Sequence, residues 1–265
     1  MKNYLLLSCC LAFVNIYGQA PIRIVCMGNS ITNGKVSGGK ITELSYRPWL
    51  WEKLDSAGYS VDFVGYTNLW FKEDPSKLLT PPTSRYTGKV FDRGHDSYYG
   101  IKSKGLLKGN KNKEWTGTPL PSLSVRLNKY TPDIALLHIG TNDLNKDVKN
   151  TVKNIEAIID ELRKKNPEVK IFVAKLITGW KPINARVDEI VKNKTTAKSP
   201  VFAVDIATGF INDTTNKSTT MTFDWVHPNE RGQSFMADRW FKAIQDQIPL
   251  IPTNKNAALK PKSED

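Results

Sequence analysis

The chain has 265 residues, 40% of them hydrophobic, and a formal net charge of +12. That length and apolar content support at least one substantial core and exclude a disordered or low-complexity chain; no internal repeat is visible. The lysines are scattered and no nucleic-acid motif accompanies them, so solubility is the plain meaning of the charge and attraction to an anionic polymer or surface the sharper one.

In chain order, the first feature is residues 1–20, with Lys2 ahead of an apolar run from Leu5 to Val14 and small residues at Gly18 and Ala20. This is the pattern of a cleaved export signal, with cleavage after Gly18 or Ala20, and it predicts a secreted or periplasmic protein with no membrane span. Cys9 and Cys10 would leave with it, so Cys26 stands alone in an apolar run, a core thiol with no internal disulfide open to it.

Arg23 to Gly28 reads as a buried strand, and the stretch after Ser45 places Leu50, Leu54 and Ala57 at helical spacing before Gly58. Further strands are expected at Val61–Gly65, Asp133–Gly140, Val169–Leu176 and Pro200–Ile206. Between and after them, Val152, Ile155, Ile159 and Leu162 mark one amphipathic helix, Ile183, Val187, Ile190 and Val191 a second, and Met236, Trp240 and Ile244 a last one. Apolar strands alternating with helices imply a mainly parallel five-stranded sheet in a three-layer α/β/α sandwich. The body should run over residues 21–251, followed by a polar tail at 252–265. Residues 66–121 have no sustained period and are longer than an ordinary connection, which marks a functional loop.

The chemistry lies where this scaffold ends its strands. Ser30 directly follows the first strand; Asn142, in Gly140 to Asp143, follows another; Asp224 and His227 sit three apart before Pro228. A serine hydroxyl attacks only when a neutral imidazole takes its proton and a carboxylate fixes that imidazole, and an amide beside backbone N–H groups suits a tetrahedral oxyanion. Each piece alone has a plainer reading, since a serine after a strand caps helices and asparagine favours turns. His138 reads as a satisfied core residue, and His95 as a loop residue that is exposed or touches substrate. Trp70, Trp115 and Tyr98 are candidate platforms for sugar rings or else loop anchors. No Cys/His cluster, phosphate loop or dinucleotide fingerprint occurs, so neither a metal nor another cofactor is expected.

The blocks GNS (Gly28 to Ser30), GTND (Gly140 to Asp143) and DWVH (Asp224 to His227), in this order, resemble the SGNH or GDSL-type hydrolases, and most of all their secreted carbohydrate esterases. That resemblance implies a flavodoxin-like sandwich and an acetylesterase acting on an acetylated glycan, and the basic charge of the chain would attract an anionic one. It also implies Ser30 as nucleophile, His227 as base and then acid, Asp224 as its orienting group, and an oxyanion hole of the Ser30 N–H, Asn142 and a glycine. DSYYG (Asp96 to Gly100) fits the remaining block with Gly100 as that glycine and Gly94 as the alternative, while Asn29, Tyr98, Tyr99 and Trp225 would line the substrate. Asn29 departs from the usual aspartate, and Tyr98 and Tyr99 from the usual small residues, which points to an altered rim. A lipid or thioester hydrolase, or a glycan-binding protein on the same fold, are the competing readings.

Overall fold

The computed structural model describes residues 20–250 apart from 38–39, 85, 112–118, 144–146, 178 and 180. The expected leader (Ala20 aside), the tail and Trp115 therefore lie outside the described residues. In chain order the elements are β1 (Ile22–Gly28), α1 (Ser30–Asn33), β2 (Lys35–Ser37), β3 (Lys40–Glu43), α2 (Arg47–Ser56), β4 (Val61–Val64) and β5 (Asp96–Ser97). They continue with α3 (Ser103–Lys108), α4 (Leu123–Arg126), β6 (Ile134–His138), a 3-10 turn at Thr141–Asp143, α5 (Val148–Lys165), β7 (Lys170–Lys175), α6 (Lys181–Lys194), β8 (Val201–Asp205) and α7 (Glu230–Gln247).

The main sheet has the order β4-β1-β6-β7-β8 with every neighbour parallel, and the two-residue β5 pairs with the end of β1. Successive strand residues point to opposite faces, so β1 sends Val25 and Met27 into one core and Ile24 and Cys26 into the other. The first core is closed by Val152, Ile155, Ile159 and Leu162 of α5 with Val187 and Ile190 of α6. Leu50 and Leu54 of α2 and Met236, Trp240 and Ile244 of α7 close the second. Both helical stripes follow the 3.6-residue period that buries one face, and the result is the expected α/β/α sandwich.

The described residues of the 66–121 segment are more ordered than their sequence suggests. They contain β5 and α3, and are held by buried polar pairs instead of an apolar stripe. Arg126, fully buried, donates from Nε to Asp96 at 2.9 Å and from its terminal nitrogens to Pro121 O at 2.6 Å and Leu106 O at 2.7 Å. Tyr130 Oη donates to the same carboxylate at 2.5 Å, and Arg93 pairs with Glu73. Buried Arg47 has no carboxylate; it donates to the carbonyls of Thr32 (2.8 Å), Asn33 (2.9 Å) and Arg93 (2.9 Å), tying α1 to the long loop.

This packing corrects several loop expectations. Trp70 is buried with Arg93 stacked 4.1 Å from its ring centroid, so it anchors the loop and offers no sugar platform. His95 is neither exposed nor near solvent: its ring meets Leu69 O at 3.0 Å and Ser97 Oγ at 2.8 Å, and burial, with Arg47 nearby, pushes its pKa well down. Gly94 is a close-approach position, since a Cβ there would lie 1.8 Å from Phe63 O. His138 is in the core as expected but not satisfied: neither ring nitrogen has a partner among the described residues, and burial pushes its pKa down to about 4, keeping the ring neutral.

Candidate active site

β1 ends at Gly28, and Asn29 turns the chain: its backbone is extended and its side-chain oxygen accepts the Ile31 N–H at 3.0 Å, starting α1 at Ser30. Asn29 is fully buried by that capping role, which removes it from the substrate-contacting set. The far end of the chain reaches the same point through the segment before α7. There Phe223 N–H donates to His227 O at 2.9 Å, folding Asp224 to His227 into a tight turn in which Trp225 takes the left-handed φ of 77°.

Within that turn the Asp224 carboxylate accepts the backbone N–H of His227 at 2.9 Å and of Val226 at 3.2 Å. Its other oxygen lies 2.8 Å from His227 Nδ1, and His227 Nε2 lies 2.9 Å from Ser30 Oγ. A carboxylate only accepts, so Nδ1 carries the proton and Nε2 is left to accept from the Ser30 hydroxyl. Burial works against a charge on Asp224, but the His227 and Val226 hydrogen bonds outweigh it and hold the carboxyl below its usual range. The arrangement therefore presents a hydroxyl with a neutral base on it and an anion behind that base.

β5 carries the neighbouring wall. Ser97 pairs with Gly28 and Tyr98 N–H donates to Gly28 O at 3.1 Å, which keeps the chain alongside the Ser30 turn up to Gly100. Gly100 has φ 70°, a conformation that favours glycine. Asn142, in the turn after β6, donates one amide N–H to Ile101 O at 3.0 Å, leaving its second N–H for another acceptor. Asp143 accepts Ser103 N–H at 2.9 Å and Ser103 Oγ–H at 2.5 Å. Two turns distant in sequence are thus clamped together, and the role of Asp143 was not read from the sequence although its block was.

The four expected substrate contacts divide. Tyr98 is buried in the first core with Arg126 5.6 Å from its ring centroid, so it is a structural residue, as is Asn29. Tyr99 is half-buried and its ring is stacked on the His227 ring, while Trp225 is 64% exposed beside the triad. Phe223, 56% exposed on the other side of Asp224 in the chain, lines a groove with Ile41, Leu44 and Gln233; a lone phenylalanine gives no sequence signal for such a place. Among the described residues, no helix is long and apolar enough to cross a membrane.

Residues 24–240 match the model of the GDSL-like lipase/acylhydrolase family, and the chain belongs to that family of ester hydrolases. A multidomain esterase from Ruminococcus flavefaciens is 28% identical over 246 residues, which is 86% of this chain but only 29% of that protein. Among solved structures, a carbohydrate esterase of family 3 from Talaromyces cellulolyticus has a TM-score of 0.63 at 26% identity, covering 86% of this chain and 98% of its own. A family 3 carbohydrate esterase from Clostridium thermocellum has a TM-score of 0.60 at 25% identity, covering 86% and 97%.

Proposed function

We propose that the protein is an exported serine esterase that removes O-acetyl groups from a carbohydrate by way of an acyl-enzyme. The observation that carries this reading is the continuous hydrogen-bonded line from Asp224 through His227 to Ser30, at 2.8 and 2.9 Å. In it, Ser30 Oγ attacks the ester carbonyl while His227 Nε2 takes its proton. The oxyanion is received by the N–H groups of Ser30 and Gly100 and the free amide N–H of Asn142. His227 then gives its proton to the departing sugar oxygen. Water, deprotonated by the same imidazole, cleaves the acetyl-Ser30 ester and releases acetate. No metal or other cofactor enters this route.

The glycan assignment draws on the family 3 carbohydrate esterases named above and on Trp225, whose ring, 64% exposed in the Asp224–His227 turn, is of the kind that stacks on sugar faces. The net charge of +12 favours an acidic polysaccharide over a neutral one. Acetate release from acetylated polysaccharide, measured beside hydrolysis of an octanoyl ester, tests the reading. Acetate release faster than octanoyl turnover, abolished in Ser30→Ala, supports it. Preference for the octanoyl ester makes the protein a lipid or thioester hydrolase, and glycan binding with no turnover makes it a lectin on this fold.

A further inference from the structure

We infer that Tyr99 is a positioning residue for the catalytic imidazole, an inference that rests on the serine esterase reading. Its ring lies nearly parallel to that of His227, 5.5 Å between centroids and 19° between planes. Phe71 is stacked on the same Tyr99 ring at 4.1 Å and 14°, so three aromatic rings, the base among them, pack together. Hydrogen bonds fix His227 only at its two nitrogens, both in the ring plane; the Tyr99 face blocks the out-of-plane swing that would carry Nε2 off Ser30 Oγ.

The pile is also tied to the other two parts of the site. Phe71 N–H donates to Gly34 O at 3.2 Å, directly after the helix that begins with Ser30. Tyr99 is the residue before Gly100, whose N–H is assigned to the oxyanion. One aromatic wall therefore sets base, nucleophile and oxyanion donor against each other. A π-face beside the imidazole further favours the imidazolium that forms as Ser30 attacks, since cations are attracted to aromatic faces within about 6 Å.

The test compares Tyr99→Leu, Tyr99→Phe and Ser30→Ala on p-nitrophenyl acetate, an ester too small to report glycan contacts. The low-field His227 Nδ1 proton resonance and the rate of labelling by a serine-directed phosphonate are followed in parallel. Tyr99→Leu should lower kcat by about tenfold to a hundredfold, with KM within about twofold, because misplacing a reacting group acts on the transition state. Phosphonate labelling should slow in step, the Nδ1 resonance should broaden, and Tyr99→Phe should return most of the loss. A raised KM with full kcat, or equal activity in the Leu and Phe variants, overturns the inference. If Tyr99→Leu does not fold, Phe71→Leu decides, since removing the Phe71 ring should cost several-fold in kcat and an unchanged kcat refutes the wall. An active Ser30→Ala sinks the esterase mechanism itself, whereas an inactive Ser30→Ala beside a fully active Tyr99→Leu removes only this inference.

Discussion

At the scale of single residues, the site is a set of side chains each held by a second bond. Asn142 spends one amide N–H on Ile101 O, and the proposed mechanism gives the other to the oxyanion, so Asn142→Ala should lower kcat by roughly 10²–10³ with KM little changed. A rise in KM alone would make Asn142 a binding residue. The pH profile follows from protonation states. His227 accepts the Ser30 proton only when neutral, so kcat/KM should fall as the pH drops into acid. Asp224, held below the usual carboxylate range, stays ionised throughout that fall, so a single ionisation should describe it. A bell centred near about pH 4–5 would point to paired carboxylates instead.

At the scale of elements, what was legible in the sequence divides by the kind of burial. β1, β6 and β7 are apolar on both faces and α5 and α7 keep a helical stripe, so they show in the sequence as runs and periods. The hairpin of β2 and β3, the two-residue β5 and the short α3 and α4 are three to six residues or fewer and carry no period. The three blocks of the proposed site could be read because each requires particular residue types, two at strand ends and one just before the last helix. The burial of Tyr98, His95 and Trp70 could not, because it comes from distant polar partners such as Arg126 on Asp96 and Arg47 on Arg93 O. That long-loop network should be costly to break. Arg126→Met leaves the buried Asp96 carboxylate without its cation, on the Tyr130 hydroxyl, and should destabilise the protein by about 3–5 kcal/mol in urea unfolding. A loss below about 1 kcal/mol would show that the pair is not holding the loop.

For the whole molecule, acid stability depends on two buried histidines, His95 and His138, that the proposed mechanism does not use. His138 is buried with a pKa of about 4, against an unfolded reference of about 6.5, so between these values the unfolded chain binds the extra proton. Stability is therefore full above about pH 6.5 and falls as the pH drops toward 4, by about 3 kcal/mol at most. His138→Phe should lessen that slope in equilibrium unfolding, with buried His95 keeping the remainder, while leaving the acid limb of kcat/KM in place; an unchanged slope would assign it elsewhere. The fold brings residues 197 apart in sequence to 2.9 Å, and the central claim is that this contact is a nucleophile on its base. The most direct measurement is kcat of Ser30→Ala on p-nitrophenyl acetate, with folding checked by circular dichroism. The account predicts a loss on the order of 10⁴ or more in a folded protein, and activity within about tenfold of the wild type would contradict it.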